Sequence, residues 1–98
     1  MEHAIYRITA VRVTDAYTLE ITFDDATTRT INFEHLLYGE MYSPLRNLSL
    51  FNCVSVDPEV HTITWPNGAD FDPATLHDWE DYDDEITRRA REWKVNAR

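Results

Sequence analysis

Four histidines, a single cysteine and a run of closely spaced aspartates are the residues of this chain that could do chemistry. His3 lies at the start, His35 in a short helical turn, His61 on a strand and His77 on a C-terminal helix. No two of them stand at a zinc-ligand spacing, and one thiol cannot build a thiolate metal site. His77 and Asp81, four apart, share a helix face, and together with Asp78 they could take a divalent cation. Asp70 and Asp72 flank Phe71, and as an extended pair they share a face. With His77 they are the constellation from which a small metal-binding or enzymatic domain could be argued. The simpler reading gives each acid a structural role, in which Asp70 closes a loop onto backbone and Asp72 caps a helix. Cys53, beside Val54, is expected as a small buried hydrophobe rather than a nucleophile. Ser43, Ser49 and Ser55 lie in no nucleophile elbow. The 2 glycines, Gly39 and Gly68, cannot form a phosphate-cradling loop. No catalytic residue, metal or cofactor is assigned, and the balance is against an enzyme.

The elements that must carry these residues begin with strands. Tyr17, Leu19, Ile21 and Phe23 alternate with Thr18, Glu20, Thr22 and Asp24, the period of a half-buried strand. Before it, Ala4 to Val13 is rich in β-branched residues. Tyr6 and Ile8 have one parity and Val11 and Val13 the other, which a bulge near Thr9-Ala10 reconciles. A third strand carries Arg29, Ile31 and Phe33 after the turn Asp24-Asp25-Ala26-Thr27. Such turns often need glycine at a positive φ, so a longer loop or a left-handed Asp is expected in place of Ala26. A helical turn over Glu34 to Tyr38 ends at Gly39. Ser43-Pro44 resembles a cap followed by proline, opening a short helix that turns Leu45, Leu48 and Leu50 to the sheet. Val54 and Val56, then His61, Ile63 and Trp65, form a second hairpin around Asp57-Pro58-Glu59.

Asp72-Pro73 then opens the last helix. Leu76, Trp79, Tyr82, Ile86, Ala90 and Trp93 follow at steps of three and four, a helical apolar stripe. The expectation is an α+β fold. It has an antiparallel sheet of about five strands in two hairpin units, a short helix between strands three and four, and a C-terminal amphipathic helix. Residues 1–77 form the domain, and 78–98 a helical extension.

Charge sharpens this division. The chain has 98 residues and a net charge of −9, with 43% hydrophobic and 12% aromatic residues, enough for one packed core. Residues 1–69 carry −5, residues 70–85 carry −8 with no base, and residues 86–98 carry +4. Acids early and bases late in one helix complement its dipole, and Asp84–Arg88 and Glu85–Arg89 are spaced for ion pairs. The acidic balance disfavours direct nucleic-acid binding, leaving only the basic end as a phosphate contact. No apolar run reaches the ~20 residues of a membrane span. Met1-Glu2-His3 is not the basic start of a signal peptide, so a cytoplasmic location is expected. Dipole and ion pairs do not account for the large apolar groups of the stripe, which need a cover. Trp79, Tyr82, Ile86 and Trp93, edged by Arg88, Arg89 and Arg91, are therefore the expected contact for a protein partner or a second copy.

The order of motifs carries a resemblance. Ile8-Thr9-Ala10-Val11 is followed by Tyr17 to Asp24, Pro44-Leu45, Phe51, Val54 to Asp57, and Ile63 to Pro73. Its most specific part is Trp65-Pro66-Asn67-Gly68-Ala69-Asp70, followed by Asp72-Pro73 and Leu76. Over about residues 5–77 the chain resembles the bacterial domain-of-unknown-function family DUF2442. The resemblance implies a small α+β domain in which Trp65, Pro66, Asn67, Gly68, Asp70, Asp72 and Pro73 are structural, with Trp65 at the sheet edge. Some members are joined to a helix-turn-helix module, and some stand beside a small toxin-like protein, which implies an antitoxin or regulatory role. No catalytic residues come with it. Ala26 departs from the family's usual glycine. The tail after His77 is longer than usual, yet too short for a helix-turn-helix domain.

Overall fold

The computed structural model describes residues 6–79 and Arg88. Three strands, β1 (Ile8–Asp15), β2 (Thr18–Phe23) and β3 (Thr28–Asn32), pair antiparallel in the order β1-β2-β3. The central strand follows its alternation: Leu19, Ile21 and Phe23 are buried, and the residues between them are half-buried. The register of β1 slips between Ile8 and Ala10, so the bulge expected at Thr9-Ala10 is present and brings both Ile8 and Val11 opposite core residues of β2. A second slip between Val13 and Asp15 leads into the turn, where Tyr17 takes a φ of 55°.

The β2–β3 turn is solved differently from the expectation. Ala26 itself adopts a φ of 70°. Asp25 makes this tolerable: its Oδ1 accepts the Thr27 N–H at 2.9 Å, while Phe23 N–H donates to Thr27 O at 2.8 Å. The turn stays short, and the side chain of Asp25, not a glycine, holds it.

Two 3-10 turns, Glu34–Leu36 and Ser43–Arg46, precede the helical turn α1 (Leu48–Phe51). Gly39 lies between them with a φ of 87°, a conformation that favours glycine. Ser43 does not cap a helix. Asn47 does so instead, its Oδ1 accepting the Ser49 N–H at 2.9 Å, because Pro44 opens only a 3-10 turn that ends before α1 begins. Leu45 and Phe51 consequently point inward, and Leu48 is 39% exposed instead of facing the sheet.

Strands β4 (Ser55–Val56) and β5 (Ile63–Thr64) form a separate antiparallel pair, so the expected five-stranded sheet is two sheets of three and two strands. The reason lies between them. Asp57 Oδ1 gathers the Glu59 and Val60 N–H groups, and His61 takes a φ of 56°. A left-handed residue breaks the pleat, so His61 is not a strand residue and the ladder stays short. Ile8 N–H donates to His61 O at 2.8 Å, which fastens this hairpin to β1 without joining the sheets. Finally α2 (Pro73–His77) starts as the sequence indicates, with Asp72 as its cap and proline in the first turn.

Trp65-Pro66-Asn67-Gly68-Ala69-Asp70 folds back on itself after β5. Trp65 N–H donates to Ala69 O, Gly68 N–H to Trp65 O, and Thr64 forms a bridge with Asp70. Asn67 closes the loop: its Oδ1 accepts the Ala69 N–H, and its Nδ2 donates to Met41 O. Asp70 contributes its backbone, accepting from the Tyr42 hydroxyl at 2.7 Å, in place of the side-chain closure expected of it. Trp65 is interior, not at a sheet edge. It is 3% exposed, and its indole N–H donates to Phe51 O at 2.9 Å.

The core joins the two sheets through aromatic rings. The Phe33 ring lies 5.1 Å from Phe71, 6.2 Å from Phe51, 6.3 Å from Trp79 and 6.4 Å from Trp65. Phe33 is fully buried, so Phe33→Ala is expected to cost about 3–5 kcal/mol, measured by urea unfolding. Gly68 has a φ of 90°, and an added Cβ would meet Met41 Cε at an ordinary 3.7 Å. Gly68→Ala should therefore cost only the conformational strain, about 1–2 kcal/mol in the same measurement.

Candidate functional site

A group of ionisable side chains gathers around His77. Its imidazole Nε2 lies 2.7 Å from Asp25 Oδ2, and its Nδ1 lies 2.9 Å from Asp78 Oδ1. Tyr6 stacks on the ring with centroids 3.6 Å apart and planes within 10°, and Phe23 meets it edge-on at 4.9 Å. Arg29 Nε donates to His77 O at 2.8 Å. The side chain of His77 is only 11% exposed, whereas Asp25 and Asp78 are 42% and 39% exposed.

The local sequence explains this arrangement. Helix α2 projects His77 onto the end of the three-stranded sheet where the β2–β3 turn places Asp25. Asp78 is the next residue, and adjacent residues on a regular helix do not face each other. The chain therefore leaves helical geometry at Asp78, with φ −100° and ψ 37°. This interrupts the single helix expected from Asp72 onward, between Leu76 and Trp79 of the expected stripe.

The electrostatics follow from the geometry. Burial works against charge on His77. The hydrogen bonds to Asp78 and Asp25, and the attraction of both carboxylates, outweigh it and raise the pKa above 6.5. Asp25 is lowered to about 2, first by the Thr27 N–H and then by His77. Tyr42 is raised by burial and by the nearby Asp70 carboxylate.

Asp70, Asp72 and His77 do not form a common centre by their bonding. Asp72 Oδ2 accepts from both the N–H and the hydroxyl of Thr75, each at 3.1 Å. Among the described residues no group of three His, Cys, Asp or Glu side chains could hold a metal ion. Cys53 is exposed, not buried, with Sγ 3.2 Å from Ser49 O, because it follows α1 on the outer side of that turn. No helix among the described residues is long and apolar enough to cross a membrane.

Of the residues expected to contact a partner, Trp79 is half-buried and packs against Phe33 and the core. Arg88 is helical and exposed. Tyr82, Ile86, Arg89, Arg91 and Trp93 lie outside the described residues, as does Asp81 of the cation-site reading. Sequence spacing missed Tyr6, Asp25 and Arg29 as partners of His77. Asp25 was visible only as a turn residue, and nothing in a spacing of 52 positions points to His77.

With Asp72 acting as a cap, Asp72→Ala should cost about 1 kcal/mol of stability. A thermal melt with and without divalent cations checks this: the loss should be the same in both.

No curated protein and no solved structure matches the chain. A family model described as a protein of unknown function, DUF2442, matches residues 8–82. That span takes in both sheets, the Trp65–Asp70 loop, α2 and His77 with Asp25, Arg29 and Asp78, and the chain belongs to this family.

Proposed function

We propose that this chain is a non-enzymatic protein-interaction module, an antitoxin-like component that docks a small basic protein through its C-terminal segment. The carrying observation is the placement of charge and large apolar groups after Leu76. Residues 70–85 hold 8 acids and no base, and Trp79, Tyr82, Ile86 and Trp93 follow one another at helical spacing. Trp79 ties the start of this stripe to the Phe33 ring. An apolar stripe beside concentrated negative charge suits a basic partner, which the charge attracts and the rings hold. Arg88, Arg89 and Arg91 form the charged edge of the contact and select for acidic groups at one end of the partner.

Two of the three groups that the metal-binding or enzymatic reading would need are occupied within the domain. Both ring nitrogens of His77 face carboxylates, and Asp72 holds the start of α2. No buried side-chain nitrogen or oxygen among the described residues lacks a hydrogen-bond partner. These features favour an interaction role over the metal-binding or enzymatic reading centred on Asp70, Asp72 and His77.

A pull-down of small basic proteins with the tagged full chain tests the proposal. Co-purification is expected for the wild type and should be lost in an Ile86→Asp, Trp93→Ala double variant that melts like the wild type. Binding that survives both changes would remove the segment from this role. A dimer that dissociates in the same variant would identify the occupant as a second copy.

A further inference from the structure

We propose that His77 is a pH-operated latch that fastens the root of the C-terminal segment to the β2–β3 turn, closed while the imidazole is protonated and open once it is neutral. Donors and acceptors set its two states. An ionised carboxylate only accepts hydrogen bonds, and a neutral imidazole has one donor and one acceptor. His77 presents one ring nitrogen to Asp25 at 2.7 Å and the other to Asp78 at 2.9 Å. Only the imidazolium can donate to both. After deprotonation one nitrogen turns a lone pair toward a carboxylate oxygen, and that contact becomes repulsive.

The ring has little freedom to relieve this by rotating. Tyr6 covers one face at 3.6 Å, and Phe23 closes from the side at 4.9 Å. The Tyr6 face also favours the cation. Arg29 is the charged group that reaches His77 from β3, and its guanidinium binds the main-chain oxygen, so this contact is independent of the ring's proton. Asp24, the neighbour of Asp25 in the turn, lies near the Arg7 N–H, its Oδ1 at 3.4 Å. The groups that respond are thus Asp25 from the turn and Asp78 from the segment's root. Both are more than a third exposed, which gives the buried ring a route for proton exchange with solvent.

The window has two edges. A histidine with a raised pKa contributes its stability fully below the ordinary value of ~6.5 and loses it as pH rises through the raised one. Asp25, held at about 2, contributes fully above its ordinary 3.8 and loses its share only as pH falls toward 2. The latch is closed between these limits and opens on the alkaline side. What opens is the contact between the end of α2 and the β2–β3 turn, while the Arg29 bond to His77 O stays in place.

A pH titration of the full-length chain from about 5 to 9, followed by NMR at the His77 ring and the Asp78 and Trp79 amides, tests this directly. The His77 midpoint should lie above ~6.5, and the two amides should shift with the same midpoint. Asp25→Asn should lower that midpoint. In a second measurement, the difference in Tm between wild type and His77→Gln should be largest near pH 6 and shrink toward pH 9. A His77 midpoint at or below ~6.5 would overturn the proposal. So would Asp78 and Trp79 amides that ignore the titration, which requires no variant to fold.

Discussion

Among the described residues the two sheets share no strand pairing, and beside the single Ile8–His61 backbone bond their union depends on a buried core centred on one ring. Phe33 directly follows β3, and its side chain sits among Phe51, Phe71, Trp65 and Trp79, which come from α1, the segment before α2, the loop after β5, and the segment after α2. Aromatic pairs at these separations gain from burial and from edge-to-face geometry alike. A strand ladder would have fixed the sheets through backbone bonds. Here one backbone bond, from Ile8 N–H to His61 O, and side-chain packing do so, and Trp65 lies in the interior. The indole bond to Phe51 O then orients the largest ring in the cluster.

The parts of the fold that were legible in the sequence are those with local causes. The alternation of β2, the parity change that forces a bulge in β1, and the Asp72-Pro73 start of α2 each depend on residues within a few positions. The parts that were not legible depend on distant or competing contacts. Ala26 occupies a left-handed position because Asp25 stabilises the turn from the side. His61 breaks the β4–β5 region because Asp57 captures the N–H groups that follow it. Pro44 marked a helical start, but the helix that forms is one turn later and is capped by Asn47.

The same division holds at the site. His77 was visible as a titratable residue on a helix, and Asp72 as its cap. That Asp25 would meet His77 could be seen only once the sheet had placed the β2–β3 turn beside α2. The interruption at Asp78 was hidden for a related reason: its cause is a bond between adjacent side chains, which a helical pattern does not anticipate. Asp25 therefore has two duties, with one oxygen on its own turn and the other on His77.

Among the described residues the longest strand, β1, lies at a sheet edge, where unpaired backbone groups can template association between molecules. Its geometry works against that outcome. Two register slips bend the strand away from a flat profile, and Ile8 spends its N–H on His61. Arg12 stands on the strand, in contact with Glu20 at 3.1 Å and largely exposed. An approaching strand would meet a kinked rim with a charge near its middle. The bulge that corrects the parity of β1 thus also guards the domain against edge-to-edge aggregation.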